Sequence, residues 1–187
     1  MNKLKILATF VLSFVLLFSS PLTMSVTASD LDAYRFASEN DTIIRDGIEY
    51  KVSYIDYKDV FNEEEIKILQ KLTMAEAGNQ SKECQRMVAA TVLNRVGSNL
   101  FPNTIKDVVF QEENDVYQFS CVPDGNYAKA VPTEQVIKAV DEALFNYVNE
   151  TSPNPNDMLY FNSIYYFDWA RDYTQVGAMY FSLQETK

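Results

Sequence analysis

The sequence predicts an α+β fold, a mostly helical domain with a small antiparallel sheet. Between residues 61 and 149, three long segments repeat apolar side chains at helical spacing and are bounded by residues that cap helices. From residue 158 onward, "MLYFNSIYYFDWARDYTQVGAMYFSL" is rich in aromatic and β-branched residues, which favour strands. Runs of helices and strands that are separated along the chain are typical of the α+β class.

The first helix is predicted between Asn62 and Gly78. Asn62 suits an N-cap, and Glu65 three residues later completes a capping box. Gly78 is a typical helix stop. Because successive residues are turned by about 100°, one broad face contains Ile66, Leu69, Leu72, Thr73 and Glu76. An otherwise apolar face therefore includes one carboxylate, Glu76, within "LTMAEAGNQ".

Three further segments complete the main domain. "SKECQRMVAATVLNRVG" predicts a second helix between Ser81 and Gly97 that is apolar almost all the way round and so buried on most sides. "FPNTIKDVVFQ" predicts a turn and a short helix, and "PTEQVIKAVDEALFNYV" predicts an amphipathic helix with Pro132 near its start. The aromatic tail predicts two or three short strands.

The first 60 residues predict two parts that precede the main domain at residues 61–187. In residues 1–28, two lysines precede an apolar run, and Val26 and Ala28 suit a cleavage site, which predicts a secretory signal peptide. The alternative is a membrane anchor, for which the apolar run is short. Residues 29–60 predict an N-terminal extension with a β-hairpin around Asp46-Gly47, either packed on the main domain or forming a separate arm.

Composition excludes several classes of function. The formal net charge of −10 argues against a nucleic-acid partner, because proteins bind the phosphates of nucleic acids through Lys and Arg. The chain has no histidine, which excludes Ser-His-Asp and Cys-His catalysis as usually built. Two cysteines cannot supply a common structural zinc site, so no metal and no cofactor is expected. Carboxylates, lysines and tyrosines remain for acid–base chemistry.

The two cysteines, Cys84 and Cys121, predict one disulfide if the chain is exported. The alternative is that both are small, buried, apolar side chains.

Glu76 is the leading candidate for a catalytic residue. Burial disfavours the charged form of a carboxyl group, so its pKa should rise. A carboxylic acid that stays protonated near neutral pH can donate a proton to the leaving oxygen of a glycosidic bond. The alternative is an ordinary buried glutamate whose hydrogen bonds are satisfied within the fold.

The stretch "MAEAGNQSKECQRMVAATVLNRVGSNLFPNTIKDVVFQ" resembles the cell wall hydrolase family typified by the catalytic domain of the spore cortex-lytic enzyme. That family has an "AEA" glutamate, then "LNRV", "FPNTI" and "V-x-x-Q", all found here. "QFS", "LYFN" and "VGAMYF" resemble its later segments, so that the likeness spans about residues 65–183.

The resemblance implies a lysozyme-like fold and an exported enzyme that cuts the glycan strands of peptidoglycan. Members typically act as lytic transglycosylases, with the "AEA" glutamate as general acid, which corresponds to Glu76. A secreted or envelope-associated bacterial monomer without a stable membrane anchor is expected. Candidate substrate-binding residues are Gln118, Phe119, Tyr160, Asn162 and Trp169. Asn94 and Arg95 are expected to be structural, tying the end of the second helix to the next loop.

Some features leave alternatives open. A muramidase-type hydrolase would need a second carboxylate, and the spacing of Asp115, Asp124, Asp168 and Asp172 singles out none of them. The family's Gly-x-His is Gly177-Ala178-Met179 here, and "EENDVY" is an acidic insertion. Two other functions compete with this one. The chain could be a glycan-binding protein that has lost activity, or an interaction protein whose aromatic tail contacts a partner.

Overall fold

The computed structural model describes residues 42–45, 48–51, 54–149, 158–164 and 169–184. The predicted signal peptide and Asp168 lie outside these residues. The elements are β1 (Thr42–Arg45), β2 (Ile48–Lys51), α1 (Glu63–Ala77), α2 (Lys82–Gly97), α3 (Ile105–Val109), β3 (Glu112–Glu113), β4 (Val116–Tyr117), α4 (Asn126–Lys129), α5 (Glu134–Asn149), β5 (Tyr160–Asn162), β6 (Ala170–Val176) and β7 (Met179–Gln184). The α+β class is confirmed.

Helix α1 begins with the predicted capping box. The Asn62 side chain accepts a hydrogen bond from the backbone N–H of Glu65 at 3.0 Å, and the Glu65 carboxylate accepts from the backbone N–H of Asn62 at 3.4 Å. These bonds satisfy amide groups that would otherwise lack a partner at the start of the helix. The helix buries one face against the main core, including Leu69 and Leu72.

Helix α2 is the central helix of the domain. It starts after the predicted cap Ser81, whose side chain accepts from the N–H of Cys84, and it ends at Gly97, with Ser98 as its C-cap. Every residue from Cys84 to Leu93 is buried, as predicted for a helix enclosed on most sides. It packs against α1 and α5, while α3 packs against both α1 and α2. The main core contains Leu69, Leu72, Val92, Leu93, Ile105, Val108, Val140 and Leu144.

The aromatic tail forms a three-stranded antiparallel sheet with the order β5-β7-β6. Its central strand pairs Phe181 with Phe161 on one side and with Thr174 on the other. Phe181 and Met179 pack with Cys84, Met87 and other residues in a second hydrophobic cluster between the sheet and the helices. The sheet thus lies against the end of α1 and the start of α2.

The predicted hairpin is present in the N-terminal extension, since β1 pairs with β2 and Arg45 lies opposite Ile48. The residues that follow it pack against α5. The backbone N–H of Ile55 donates to Asn149 Oδ1 at 2.7 Å, and the Tyr57 hydroxyl donates to Asp141 at 3.0 Å. The segment from residue 54 to residue 60 is therefore packed on the main domain.

The acidic insertion forms a small hairpin that the sequence analysis did not predict. Strands β3 and β4 pair Glu113 with Val116. The two residues between them, Asn114 and Asp115, have φ values of 53° and 63°. Asn and Asp tolerate this left-handed region better than most residues, which suits a two-residue hairpin turn.

The part of the chain that the structure describes contains no helix that is long and apolar enough to cross a membrane.

Candidate active site

Glu76 lies in the last turn of α1, at the end of the face that carries Leu72 and Thr73 into the core. Its neighbour Ala77 is fully buried, whereas the Glu76 side chain is half-buried. A half-buried carboxyl group is partly removed from water yet still open to a substrate. The predicted placement on the inner face is therefore confirmed.

Two nearby residues and the partial burial set the ionisation of Glu76. Burial is the largest effect and raises the pKa of this carboxyl group. Hydrogen bonding by Cys121 has a smaller, lowering effect on the pKa, and the negative charge of Asp124 raises it again. The net result is a raised pKa, which favours a protonated group at higher pH than for an ordinary glutamate.

The loop that brings Cys121 and Asp124 to Glu76 is held by backbone hydrogen bonds. The N–H of Tyr127 donates to the Cys121 carbonyl at 2.8 Å, and the N–H of Asp124 donates to the Ser120 carbonyl at 3.2 Å. Lys71, on α1, donates to the Ala128 carbonyl at 3.3 Å, and its ammonium group lies 4.8 Å from the centre of the Tyr127 ring. The loop is thereby tied to the same helix that carries Glu76.

Gln85 holds the end of α1 from the neighbouring helix. This fully buried side chain donates through Nε2 to the carbonyl oxygens of Ala77 (3.1 Å), Gly78 (3.3 Å) and Gln80 (3.2 Å). Its own oxygen accepts from Gln135 at 3.1 Å. These contacts supply partners for carbonyl groups that the helix end leaves unsatisfied.

Gly78 is the C-cap of α1, and limited space rather than an unusual backbone angle requires a glycine there. Its φ of −58° is ordinary, so it is not a left-handed cap. A Cβ at this position would lie 2.5 Å from the Met74 carbonyl oxygen and 2.8 Å from its sulfur. The glycine lets the chain turn tightly just after Glu76.

A group of aromatic rings surrounds Arg95 near the start of the sheet. Its guanidinium centre lies 4.8 Å from the ring centre of Phe101, 5.0 Å from that of Phe119 and 5.5 Å from that of Tyr160. Arg95 Nε donates to the Leu159 carbonyl at 2.7 Å, and burial lowers its pKa to about 10. Arg95 ties the end of α2 to the next loop through Phe101, as expected, and also to the start of β5 through the Leu159 carbonyl. Asn94 ties α2 to the segment before β5 through the Met158 carbonyl.

The predicted substrate-binding residues occupy different environments. Trp169 is 41% exposed and contacts Tyr160, with ring centres 4.8 Å apart. Asn162 accepts a hydrogen bond from the backbone N–H of Ile164 at 2.7 Å, and Gln118 is half-buried beside the Cys121 loop. Phe119 is only 3% exposed and belongs to the main core. Its assignment to the surface of a glycan cleft is wrong, because a ring enclosed by core side chains offers no face to a sugar.

The predicted disulfide between Cys84 and Cys121 is not formed in the structure. Both residues are free and buried, with Cys84 in the cluster below the sheet and Cys121 in the main core beside Glu76. Because each thiol packs in a separate hydrophobic cluster, the alternative of two small buried side chains describes them better. Burial raises the pKa of Cys84 to about 11 and also raises that of Cys121.

The aspartates differ in their relation to Glu76. Asp115 is exposed in the turn of the β3–β4 hairpin, and Asp172 is exposed on β6. Asp124 is exposed too, but it lies near enough to Glu76 to affect its ionisation. No group of three or more His, Cys, Asp or Glu in the described ranges is arranged to hold a metal ion.

Two important neighbours of Glu76 escaped the sequence analysis. Gln85 lies near the start of a helix, where a polar residue normally faces solvent. No sequence signal therefore indicates that its side chain binds the end of α1. For Cys121, the sequence predicts either a disulfide or a small buried apolar side chain, and neither indicates a place near Glu76. The "QFS" match placed its loop among the candidate segments, but no local pattern indicates a contact with Glu76.

A half-buried carboxyl group with a raised pKa, at the end of a helix in an α+β domain, is typical of glycosidases that use an acid catalyst. Comparison with known proteins agrees with this class. The model of the family described as Cell Wall Hydrolase matches residues 79–182, more than half of the chain. The chain therefore belongs to the cell wall hydrolase family.

Individual relatives give the same result. The spore cortex-lytic enzyme of Bacillus subtilis strain 168 is 32% identical over 102 residues, and that of Oceanobacillus iheyensis is equally similar. These alignments cover 54% of this chain but only 30% and 34% of those proteins, so the chain matches about a third of the length of these curated relatives.

Two solved structures share the fold. The catalytic domain of the germination-specific lytic transglycosylase SleB from Bacillus anthracis superposes with a TM-score of 0.53 and 25% identity, covering 66% of this chain and 97% of that domain. The catalytic domain of the Bacillus cereus SleB protein gives the same TM-score and identity, with 92% of that domain covered. The lysozyme-like α+β fold implied by the resemblance is confirmed. Glu76 lies just before the range matched by the family model.

Proposed function

We propose that this chain cuts the glycan strands of peptidoglycan as a lytic transglycosylase, with Glu76 as its only acid and base. The observation that carries the proposal is the Glu76 carboxyl group, which is half-buried and whose pKa is raised chiefly by burial. Membership of the cell wall hydrolase family and the likeness to a domain described as a lytic transglycosylase support the substrate and the reaction.

The proposed reaction needs one group that donates and then accepts a proton. Protonated Glu76 gives its proton to the glycosidic oxygen as the bond from that oxygen to C1 of the muramoyl sugar breaks. The hydroxyl oxygen on C6 of the same sugar then bonds to C1. The resulting Glu76 carboxylate accepts the proton that this hydroxyl group loses. The product is a 1,6-anhydro ring, Glu76 is again protonated, and no water is consumed.

Four exposed or half-buried residues on β5 and on the segments near it are proposed to hold the glycan. Trp169 and Tyr160 form an aromatic surface on which sugar rings can stack. Asn162 and Gln118 add hydrogen-bonding groups from β5 and from the segment before Cys121. Replacing Trp169 with Ala should therefore raise KM more than it lowers kcat.

Hydrolysis is a second candidate because Asp124 lies near Glu76. A hydrolase of the usual type uses a second carboxylate, either to activate water or as a nucleophile. Among the residues that the structure describes, Asp124 is the aspartate whose charge acts on Glu76. If Asp124 has this role, Asp124→Asn should abolish cleavage. In a transglycosylase, the same change should leave most of the activity.

Digestion of purified cell walls in heavy-oxygen water distinguishes the two reactions. Mass spectrometry should find anhydro ends without label, whereas label in new muramic reducing ends would show hydrolysis. Glu76→Gln should keep the fold and lose about 10²-fold or more in activity, as expected for loss of a general acid. Near wild-type cleavage by this variant would overturn the role of Glu76, and wall binding without any products from the wild type would indicate a glycan-binding protein.

We also propose that residues 1–28 direct export, because peptidoglycan lies outside the cytoplasmic membrane. Cleavage after Ala28 leaves Ser29 as the first residue. N-terminal sequencing of protein from the culture medium or cell envelope should find Ser29. Retention of Met1 in membrane-bound protein would instead favour the anchor.

A further inference from the structure

We propose that the outer face of the β5-β7-β6 sheet binds a further length of the glycan strand, next to the sugar rings that stack on Tyr160 and Trp169. This outer sheet face consists of Tyr160, Asn162, Tyr173, Gln175, Tyr180 and Ser182. The inference rests on the proposed function and deepens it, because it gives Tyr173 a role in substrate binding and predicts a preference for long glycan strands.

The alternation of side chains along each strand defines the outer sheet face. Successive side chains of a strand point to opposite faces. Phe161 and Phe181 are register partners whose ring centres lie 6.0 Å apart, and Phe181 is fully buried, so their side of the sheet is the inner one. Thr174 also lies opposite Phe181. Its neighbours Tyr173 and Gln175 therefore point outward.

The register arranges the outer sheet face in two rows that cross the three strands. In the first row, Ser182 lies between Tyr160 and Tyr173. In the second row, Tyr180 lies between Asn162 and Gln175. Because neighbouring strands are about 4.8 Å apart, the two outer members of a row are separated by about 10 Å. This separation is comparable with the length of one disaccharide of the glycan strand.

The first row presents aromatic rings to solvent. Tyr173 is 58% exposed, and the 41% exposed Trp169 contacts Tyr160. Ser182 is fully buried although it points outward, so larger side chains cover it. Its small side chain leaves room for rings on both sides. Exposed aromatic rings that lie together are typical of a binding surface, and their flat faces suit the apolar faces of sugar rings.

The second row adds hydrogen-bonding groups. Asn162 Oδ1 accepts from the backbone N–H of Ile164 at 2.7 Å. Gln175 Nε2 donates to the Gly177 carbonyl at 3.2 Å. The other amide atoms of these two side chains provide a donor and an acceptor on either side of Tyr180. Hydroxyl and acetamido groups of a glycan strand need both kinds of partner.

The charge of the outer sheet face also suits a glycan strand. Its six side chains are aromatic, hydroxyl or amide groups, and none is charged at neutral pH. Sugar rings are uncharged, so binding them needs no opposite charge. Nucleic acid or an anionic membrane surface would instead require lysines or arginines on this face.

The outer sheet face is continuous with the candidate active site. It shares Tyr160 and Asn162 with the residues that are proposed to hold the glycan. The turn between β6 and β7 also lies against the turn that follows Glu76, since a Cβ on Gly177 would be 3.2 Å from Gln80 Oε1. This continuity favours one glycan strand, rather than a separate partner, as the occupant of both surfaces.

The first test compares cleavage of long soluble glycan strands and of a tetrasaccharide by Tyr173→Ala. On long strands, KM should rise about 5-fold with kcat unchanged, because a stacked ring contributes to binding but takes no part in the reaction. On the tetrasaccharide, which is too short to reach from Glu76 to Tyr173, KM should match the wild type. Tyr173→Phe should retain most of the affinity. Tyr173→Leu keeps an apolar side chain without a flat ring and should behave like Tyr173→Ala.

The control is Val131→Ser, which removes a 77% exposed apolar side chain from the segment before α5. It should match the wild type on both substrates. An unchanged KM of Tyr173→Ala on long strands would overturn the proposal, as would an equal rise on both substrates. Wild-type affinity in Tyr173→Leu would also overturn it, because an apolar contact rather than sugar stacking would then explain the exposed ring.

The second test measures binding without cleavage, by sedimentation of Glu76→Gln with purified cell walls. Adding Tyr173→Ala to this variant should weaken its binding about 5-fold, and an unchanged affinity would overturn the proposal. Failure of the proposed function would give a different result, namely cleavage by Glu76→Gln or no products from the wild type. The two failures are therefore distinguishable.

Discussion

The two ends of helix α1 are built in different ways. At its start, Asn62 and Glu65 satisfy each other's backbone N–H groups within three residues, and both side chains are in an exposed region. At its other end, Gln85 of the neighbouring helix holds the backbone carbonyls that follow Glu76. The first end is stabilised by its own sequence, whereas the second depends on other parts of the fold. The catalytic candidate lies at the second end, where position is set by packing.

The largest expected effect comes from Gln85→Ala, which removes the side chain that binds the backbone carbonyls at the end of α1. Three carbonyl oxygens after Glu76 lose their common donor in a buried site, which should cost about 3 kcal/mol of unfolding free energy. Activity should also fall about 10-fold, because the end of α1 can shift relative to the Cys121 loop. Chemical denaturation and wall-cleavage kinetics measure the two effects.

The control for this change is Gln135→Ala, which removes the exposed side chain that supports Gln85 from outside. Its effects should be in the same direction and smaller. An unchanged stability and activity in Gln85→Ala would show that the second end of α1 does not depend on α2.

A smaller effect is expected for the stability of Glu76→Gln as a function of pH. Folding raises the pKa of Glu76 above its value in the unfolded chain. The contribution of Glu76 to stability is therefore fully present at pH values below its pKa in the unfolded chain, and it is lost as the pH rises through its pKa in the folded protein. Gln does not ionise, so the variant should have a higher Tm than the wild type near pH 7. The two proteins should converge near pH 4, and a variant less stable at neutral pH would contradict the raised pKa.

The smallest effect is expected at the first end, with Asn62→Ala. Loss of the N-cap should cost about 1 kcal/mol of unfolding free energy and leave kcat and KM unchanged. Asn62→Ser, which keeps a capping side chain, should recover most of the stability. Thermal denaturation measures both variants, and a loss of activity in Asn62→Ala would mean that the two ends are coupled.

The sequence determined the features that depend on nearby residues. Hydrogen bonds or side-chain spacing over a few positions account for four of these features. They are the capping box at Asn62, the cap at Ser81, the pairing of β1 with β2 and the inward direction of Glu76. Such local rules can be applied without knowing the fold. The motif "AEA" and the segments after it also indicated the family.

The tertiary structure alone decided what surrounds Glu76. It placed Phe119 inside the core, kept Cys84 and Cys121 apart as free thiols, and turned the polar side chain of Gln85 inward to the end of α1. These outcomes depend on which distant segments pack together, because a buried donor is stable only where the fold supplies an acceptor. Sequence spacing carries no information about such partners, so the candidate acid could be found from the sequence while its support could not.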